Sequence, residues 1–263
     1  MTPTTLFIIA LLGCAGGFFS GLLGFGGGVV MFPLLYYVPP LIGLAPIDAK
    51  TVAAIVITQV FFSTMVAGAA HFRSGRVHWR LAFTAGISSA VGAFLSGAAS
   101  PRVTDHFLLV LFAVVTLLTS ALMGLPPPTE AQENLSVDQV VFPPNALIFV
   151  SLLTGVVIGF LGAGNFVFVP LLIYLVKIPT RIAIASSLFI ATMNTLFGFI
   201  GKIVAGQLFL GPAASVVAGA VVGAYLGEQL HGHVSPRTLR RIYAAMVIVI
   251  AVRLLITVTQ SLR

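Results

Sequence analysis

The sequence predicts an all-α, polytopic membrane protein of two homologous halves, with eight to ten transmembrane or re-entrant helical segments. Three features carry that prediction. They are long uncharged apolar stretches, a series of residues that recurs half a chain later, and glycine-rich interruptions at corresponding points of both halves.

The apolar stretches decide the class. Of 263 residues, 59% are hydrophobic and only 7% charged, and the mean hydropathy is +1.13. Soluble domains carry about 25% charged residues, so a water-facing globule cannot be covered with this composition. Residues 1–47, 51–72, 81–101, 106–129, 139–176, 182–201 and 203–227 contain no Asp, Glu, Lys or Arg. An apolar run of about 20 residues crosses a bilayer as a helix. The runs show no two-residue alternation, so they predict helices and not barrel strands. The net charge is +7, yet the basic residues sit in the short gaps between runs. That placement orients helices in a bilayer and excludes the basic face that a nucleic-acid partner needs. The single cysteine, Cys14, lies in an apolar stretch and forms no internal disulfide. The run Thr4–Leu12 lacks a basic leader, so it is expected to be a retained first helix.

The halves emerge from internal matches. Val91-Gly92-Ala93-Phe94-Leu95 returns 131 residues later as Val222-Gly223-Ala224-Tyr225-Leu226, with Gly75/Gly206, Val103/Val234 and Leu108/Leu239 at the same offset. Gly21 to Gly28 followed by Pro33-Leu34-Leu35 matches Gly159 to Asn165 followed by Pro170-Leu171-Leu172, at an offset of 137–138. These matches divide the chain into a first repeat (1–125), a polar linker (126–144) and a second repeat (145–263). Each repeat holds five apolar segments: 4–23, 29–44, 49–71, 81–99 and 106–125, then 145–161, 166–177, 182–203, 208–228 and 238–259.

Charge placement orients the repeats. Loop 71–80 holds Arg73, Arg76 and Arg80, whereas its counterpart from Lys202 to Leu210 holds one lysine. The bias reverses at the next loop, where 100–105 has Arg102 and Asp105 while 229–241 has Arg237, Arg240 and Arg241. Equivalent loops with opposite bias belong on opposite sides, which predicts an inverted repeat with the acidic linker on the cytoplasmic side.

The glycine interruptions are the candidate site. Each glycine inside a helix costs about 1 kcal/mol relative to alanine. Unwound backbone at membrane depth is tolerated only against protein or a water-filled cavity. Gly26, Gly27 and Gly28 in one half, and Gly162, Gly164 and Asn165 in the other, predict paired breaks whose free N–H groups suit an anion. The alternative role for such glycines is close helix packing. The third segment of each half adds amides and hydroxyls: Gln59 and Ser63 in the first, Ser187 and Asn194 in the second. These serve either a ligand or ordinary interhelical bonding. Lys202 either attracts an anion or extends its ammonium to the interface. The chain contains no HExxH and no GxSxG, and its glycine patches lack the following Lys-Ser/Thr of a phosphate loop, so no enzyme and no cofactor is expected.

Taken together, Gly21-Leu22-Leu23-Gly24-Phe25-Gly26-Gly27-Gly28 with Pro33-Leu34-Leu35, the second copy ending Val169-Pro170-Leu171-Leu172, Ala185-Ser186-Ser187-Leu188-Phe189 and Gly75 to Arg80 resemble the sulfite exporter TauE/SafE family of membrane transporters. The resemblance covers nearly the whole chain. It implies a multi-pass protein of the cell inner membrane that moves small anions such as sulfite, sulfonates or related sulfur compounds. The expectation is a secondary transporter with its site between the repeats, partnered by the lipid bilayer and a small anionic substrate, with a homo-oligomer left open. An anion channel and a non-transporting scaffold or sensor are the competing readings.

Overall fold

A computed structural model describes residues 3–23, 27–72, 77–125, 135–207 and 210–231. Nine helices are found there: α1 (Pro3–Leu23), α2 (Gly28–Leu41), α3 (Ala49–Phe72), α4 (Trp79–Ala99), α5 (Asp105–Met123), α6 (Pro144–Leu161), α7 (Asn165–Pro170), α8 (Thr180–Val204) and α9 (Leu210–His231). They follow the nine apolar segments expected before residue 229; the tenth, 238–259, lies outside the described residues. Among the described residues, six helices are long and apolar enough to cross a membrane. The chain is therefore an all-α, multi-pass membrane protein.

Local chemistry sets the helix ends. The His78 Nδ1 accepts the Leu81 N–H at the start of α4, and the Thr104 hydroxyl accepts the Phe107 N–H at the start of α5. These side chains satisfy backbone donors that a first turn leaves unpaired. α6 starts with Pro144 and stops at Gly162, whose φ of 68° is left-handed, with its N–H on the Ile158 carbonyl. Pro33 and Pro170 occupy matching places in the two repeats, inside α2 and at the end of α7. After Pro170 the chain widens into a π turn over Leu171–Leu175, a spacing that accommodates the missing proline N–H.

Two ends of the bundle are defined by side-chain ties. At one end the His78 N–H donates to the Ser186 hydroxyl, and Val77, Leu81, Val140, Leu147, Ile178 and Ile182 share one apolar cluster. Trp79 packs edge-on against Phe189 and is 47% exposed there, the placement of an interfacial aromatic. At the other end Asp105 accepts the Ala49 N–H, Lys50 reaches the Pro101 carbonyl, and Ser100 bonds Gln207.

Glycine lets the helices approach backbone to backbone. On α9, Gly219, Gly223 and Gly227 face the carbonyls of Ala10, Cys14 and Phe18 on α1, so an added Cβ would collide with each. On α6, Gly155 and Gly159 face Ser89 and Ala93 on α4 in the same way. Residue numbers rise together in both pairs, so α1 runs parallel to α9 and α4 parallel to α6. The pairs are also equivalents. Gly17 meets Ala220 where Gly155 meets Ser89, and Gly223 meets Cys14 where Gly92 meets Leu152, at the offsets of the internal repeat. The first helix of each repeat thus packs along the fourth helix of the other. Contacts through small residues are the main route to tight packing where lipid removes the hydrophobic drive.

Alanine at Gly155 or Gly223 should lower the melting temperature in detergent by several degrees, since overpacking costs about 1–3 kcal/mol. Gly211→Ala, whose Cβ has only a Leu6 methyl 3.9 Å away, should leave it unchanged or raise it slightly.

Candidate functional site

The two glycine breaks meet. A Cβ on Gly28, the first residue of α2, would lie 2.9 Å from the Cβ of Ala163 in the second break and 3.1 Å from Val60 of α3. Gly27 has φ 58° and folds back on α1, against the Gly16 carbonyl and Ser20. Gly162 lies against the Ala53 carbonyl and the Ile57 N–H of α3, again with positive φ. Gly164 has φ 179°, an extended backbone, and its absent Cβ leaves room for Ile158. Residues 53–60 of α3 therefore run past both breaks, and Gly26 lies outside the described residues. An aromatic ladder holds the two short helices, with Phe112 of α5 stacked on Phe32 (4.6 Å) and edge-on to Phe166 (6.0 Å). The depth follows from α8: Asn194, which touches the second break, is about 21 Å from its first residue and about 15 Å from its last.

Amides gather at this level. Asn194 Nδ2 donates to Asn165 Oδ1 at 3.1 Å, and Gln59 Nε2 donates to Ser63 Oγ at 2.8 Å. Asn165, Asn194 and Gln59 are 5%, 0% and 0% exposed. Each still has one polar atom without a protein partner, Asn165 Nδ2, Asn194 Oδ1 and Gln59 Oε1, and Ser20 Oγ beside Gly27 is a fourth. Leaving such a group unpaired costs about 1–3 kcal/mol. Four of the six unpartnered buried side-chain atoms among the described residues belong to the second break (Asn165) or to the helices that pass the breaks, Ser20 on α1, Gln59 on α3 and Asn194 on α8. That concentration leaves hydrogen-bonding capacity unused at the breaks.

Lys202 flanks the second break. It is fully buried, and its ammonium donates to the Phe160 carbonyl at 3.4 Å and to Gln207 Oε1 at 3.1 Å. Phe160 is two residues before Gly162. Both acceptors are neutral, and among the described residues no carboxylate reaches this ammonium. Ser100 also donates to Gln207, and Lys50 bonds the adjacent Pro101 carbonyl, so two cations share one end of the bundle. The side chain does not extend to solvent, which removes the interfacial alternative for Lys202.

The sequence profile of the sulfite exporter TauE/SafE family matches residues 9–254. The chain belongs to this family. A probable membrane transporter protein of Xylella fastidiosa strain 9a5c is 30% identical over 256 residues, covering 93% of this chain and 94% of the relative. Similar but more distant are YunE of Bacillus subtilis, a probable membrane transporter protein 22% identical over 94% of this chain and 96% of its own, and one from Methanocaldococcus jannaschii, 22% identical over 89% of both. No solved structure matches the chain. The chain is thereby placed among membrane transporters, in agreement with the architecture.

Within the family fold, the predicted residues separate into two groups. Gly27, Gly28, Gly162, Gly164, Asn165 and Asn194 come together at the breaks, with Gln59 and Ser63 alongside on α3 and Lys202 at the flank. Ser187 does not join them: its hydroxyl turns to the Ile184 carbonyl of its own helix, two turns from Asn194. Its neighbour Ser186 serves the loop, through His78. Two features escaped the sequence reading. One is Ser20. The other is the register of Ser63-Thr64 with Asn194-Thr195 at the 131-residue offset, which was visible in the sequence.

Alanine at Asn165 or Asn194 strands the partner amide, so each should destabilise the protein by about 1–3 kcal/mol. The double variant should cost less than the sum by about 0.5–3 kcal/mol, read from thermal unfolding in detergent.

Proposed function

We propose that the chain is a secondary transporter of small anions, most fittingly sulfite, a sulfonate or a related sulfur oxyanion, bound between the two repeats at the paired breaks. One observation carries this: Gly28 and Ala163, from corresponding breaks, touch at mid-depth amid unpartnered buried amides. Paired interruptions in corresponding segments are the signature of a midplane transporter site. Anion selectivity follows from Lys202, whose positive charge is buried with neutral partners only. A buried cation of this kind is stabilised by a counter-ion, and a transported anion supplies one. Gln59, Ser63, Asn165 and Asn194 contribute polar contacts, and Gly27 at the start of α2 adds backbone N–H groups at the positive end of a 14-residue helix. The α7 helix has only six residues, so its contribution is its amide side chain and not its dipole. The family name itself points to sulfite.

The repeats are proposed to be inverted in the cell inner membrane. Support comes from direction: α9 leaves the end of the bundle that holds Gln207, and α1 runs parallel to it, whereas α6 starts at the opposite end with Leu147 in the Val77 and Ile182 cluster. Val77 and His78, in the described part of the arginine-rich loop 71–80, lie at that opposite end, which supports a cytoplasmic side for it. Rocking of one repeat against the other would separate Gly28 from Ala163 and expose the site in turn to each side.

Two measurements test this reading. Single cysteines are placed in a Cys14→Ser background at Ala45, in the loop after the second segment of the first repeat, and at Arg181, exposed in the first turn of α8 just after the corresponding loop of the second. Only Ala45→Cys should react with an impermeant maleimide added to intact cells, and labelling of both would reject inversion. In proteoliposomes, Lys202→Met should reduce radiolabelled sulfite flux at least ~10-fold, while its melting temperature is retained. Undiminished flux in that folded variant would remove the lysine from the site, and absence of any protein-dependent anion flux in the wild type would reject transport.

A further inference from the structure

The amide pair at the second break constrains the solute more tightly than charge alone. A side-chain amide carries one carbonyl acceptor and one NH2 donor group. Asn165 and Asn194 share a single hydrogen bond of 3.1 Å, which uses one carbonyl and one NH2. The other carbonyl, Asn194 Oδ1, and the other NH2, Asn165 Nδ2, are buried without a protein partner. Rotating both amides exchanges the names of these atoms and leaves the count unchanged. In either orientation the pair presents one acceptor and one donor. Gln59, bonded to Ser63, leaves one further end of its amide unpartnered.

A site for an anion with acceptors only needs donors only. Lysine, arginine or a serine hydroxyl can turn donors alone toward such a ligand, whereas a fixed amide pair cannot. A bare oxyanion seated here would place its negative oxygens against an amide carbonyl and leave that carbonyl unsatisfied. A bridging water can serve both groups, and a solute that displaces it must replace both bonds. We infer that the solute is an oxyanion that also carries its own hydrogen-bond donor, a hydroxyl, an acid hydrogen or an ammonium. Its anionic oxygens face Asn165 Nδ2 and the Lys202 side of the break, and its donor meets Asn194 Oδ1. This rests on the transport reading above and names the class of anion within it.

Three sulfonates of matched size separate the possibilities: 2-hydroxyethanesulfonate, 2-aminoethanesulfonate and propane-1-sulfonate, which differ in a hydroxyl, an ammonium or a methyl at the same place. With the full chain in proteoliposomes, at least one donor-bearing compound should exceed propane-1-sulfonate in kcat/KM by roughly 10-fold or more, and the better of the two identifies the donor. Equal flux of all three overturns the inference and leaves the transport reading intact. No protein-dependent flux of any of them, nor of sulfite measured alongside, overturns both. Asn194→Leu removes the carbonyl and should bring propane-1-sulfonate level with the others, whereas discrimination that survives this change unaltered places its origin elsewhere and overturns the assignment to the amide pair. The wild-type ranking needs no variant, so it decides even where Asn194→Leu fails to fold.

Discussion

Backbone hydrogen bonding in an apolar medium is the constraint on which this structure depends. A broken helix at mid-depth exposes N–H and C=O groups that lipid cannot satisfy, each at a cost of several kcal/mol. Two breaks exist, so both must be turned inward. They meet each other at Gly28 and Ala163 and lie against residues 53–60 of α3. The long helices then act as the wall that keeps lipid from them. This ordering explains why glycine serves two purposes in one chain. On α6 and α9 it removes side chains so that helix backbones can touch, and at residues 27 and 162 it supplies the positive φ with which the chain leaves the helix.

The exchange of helices between repeats follows from the same need. If each repeat packed only on itself, its break would need a complete wall of its own. Instead α1 lies along α9 and α4 along α6, with contacts that repeat at the offsets of the sequence match. Each repeat completes the other's wall. The interface between repeats is therefore where the breaks end up, and a movement between the repeats acts on them directly. Phe112 adds a second coupling, because one ring holds both short helices through Phe32 and Phe166.

Much of this was legible in the sequence, and the reason is that a bilayer restricts the choices. Uncharged runs near 20 residues have one solution: eight of the ten expected segments are helices within a few residues of their expected limits, and a ninth, 166–177, is α7 continued by the π turn to Leu175. The breaks were legible because glycine clusters are costly inside a helix. What escaped was pairing in space. Asn165 and Asn194 each stood out as polar residues in apolar surroundings, yet a hydrogen bond between residues 29 apart depends on how α7 folds back on α8. Ser187 failed for the complementary reason. A serine in a helix can return its hydroxyl to the carbonyl three or four residues earlier, as it does to Ile184, and composition cannot distinguish that from a ligand contact. Lys202 was ambiguous because a lysine near a helix end extends either outward or inward. Its inward course became visible only with the Phe160 carbonyl and Gln207 in place.

The balance of charge and polarity at the site bears on how a transporter releases what it binds. A cage of several arginines would hold a small oxyanion so firmly that release became limiting. Here one ammonium is shared between two neutral oxygens, and the polar side chains at the breaks are amides and hydroxyls. Neutral hydrogen bonds contribute about half as much as charge-assisted ones, which keeps affinity moderate while their directionality still selects among anions of equal charge. In the proposed site Lys202 would set the sign of the solute, and the amides at the break would set its kind. Conduction or transport needs binding that is favourable enough to enter and weak enough to leave. A single buried cation beside uncharged polar groups would meet that requirement with few parts.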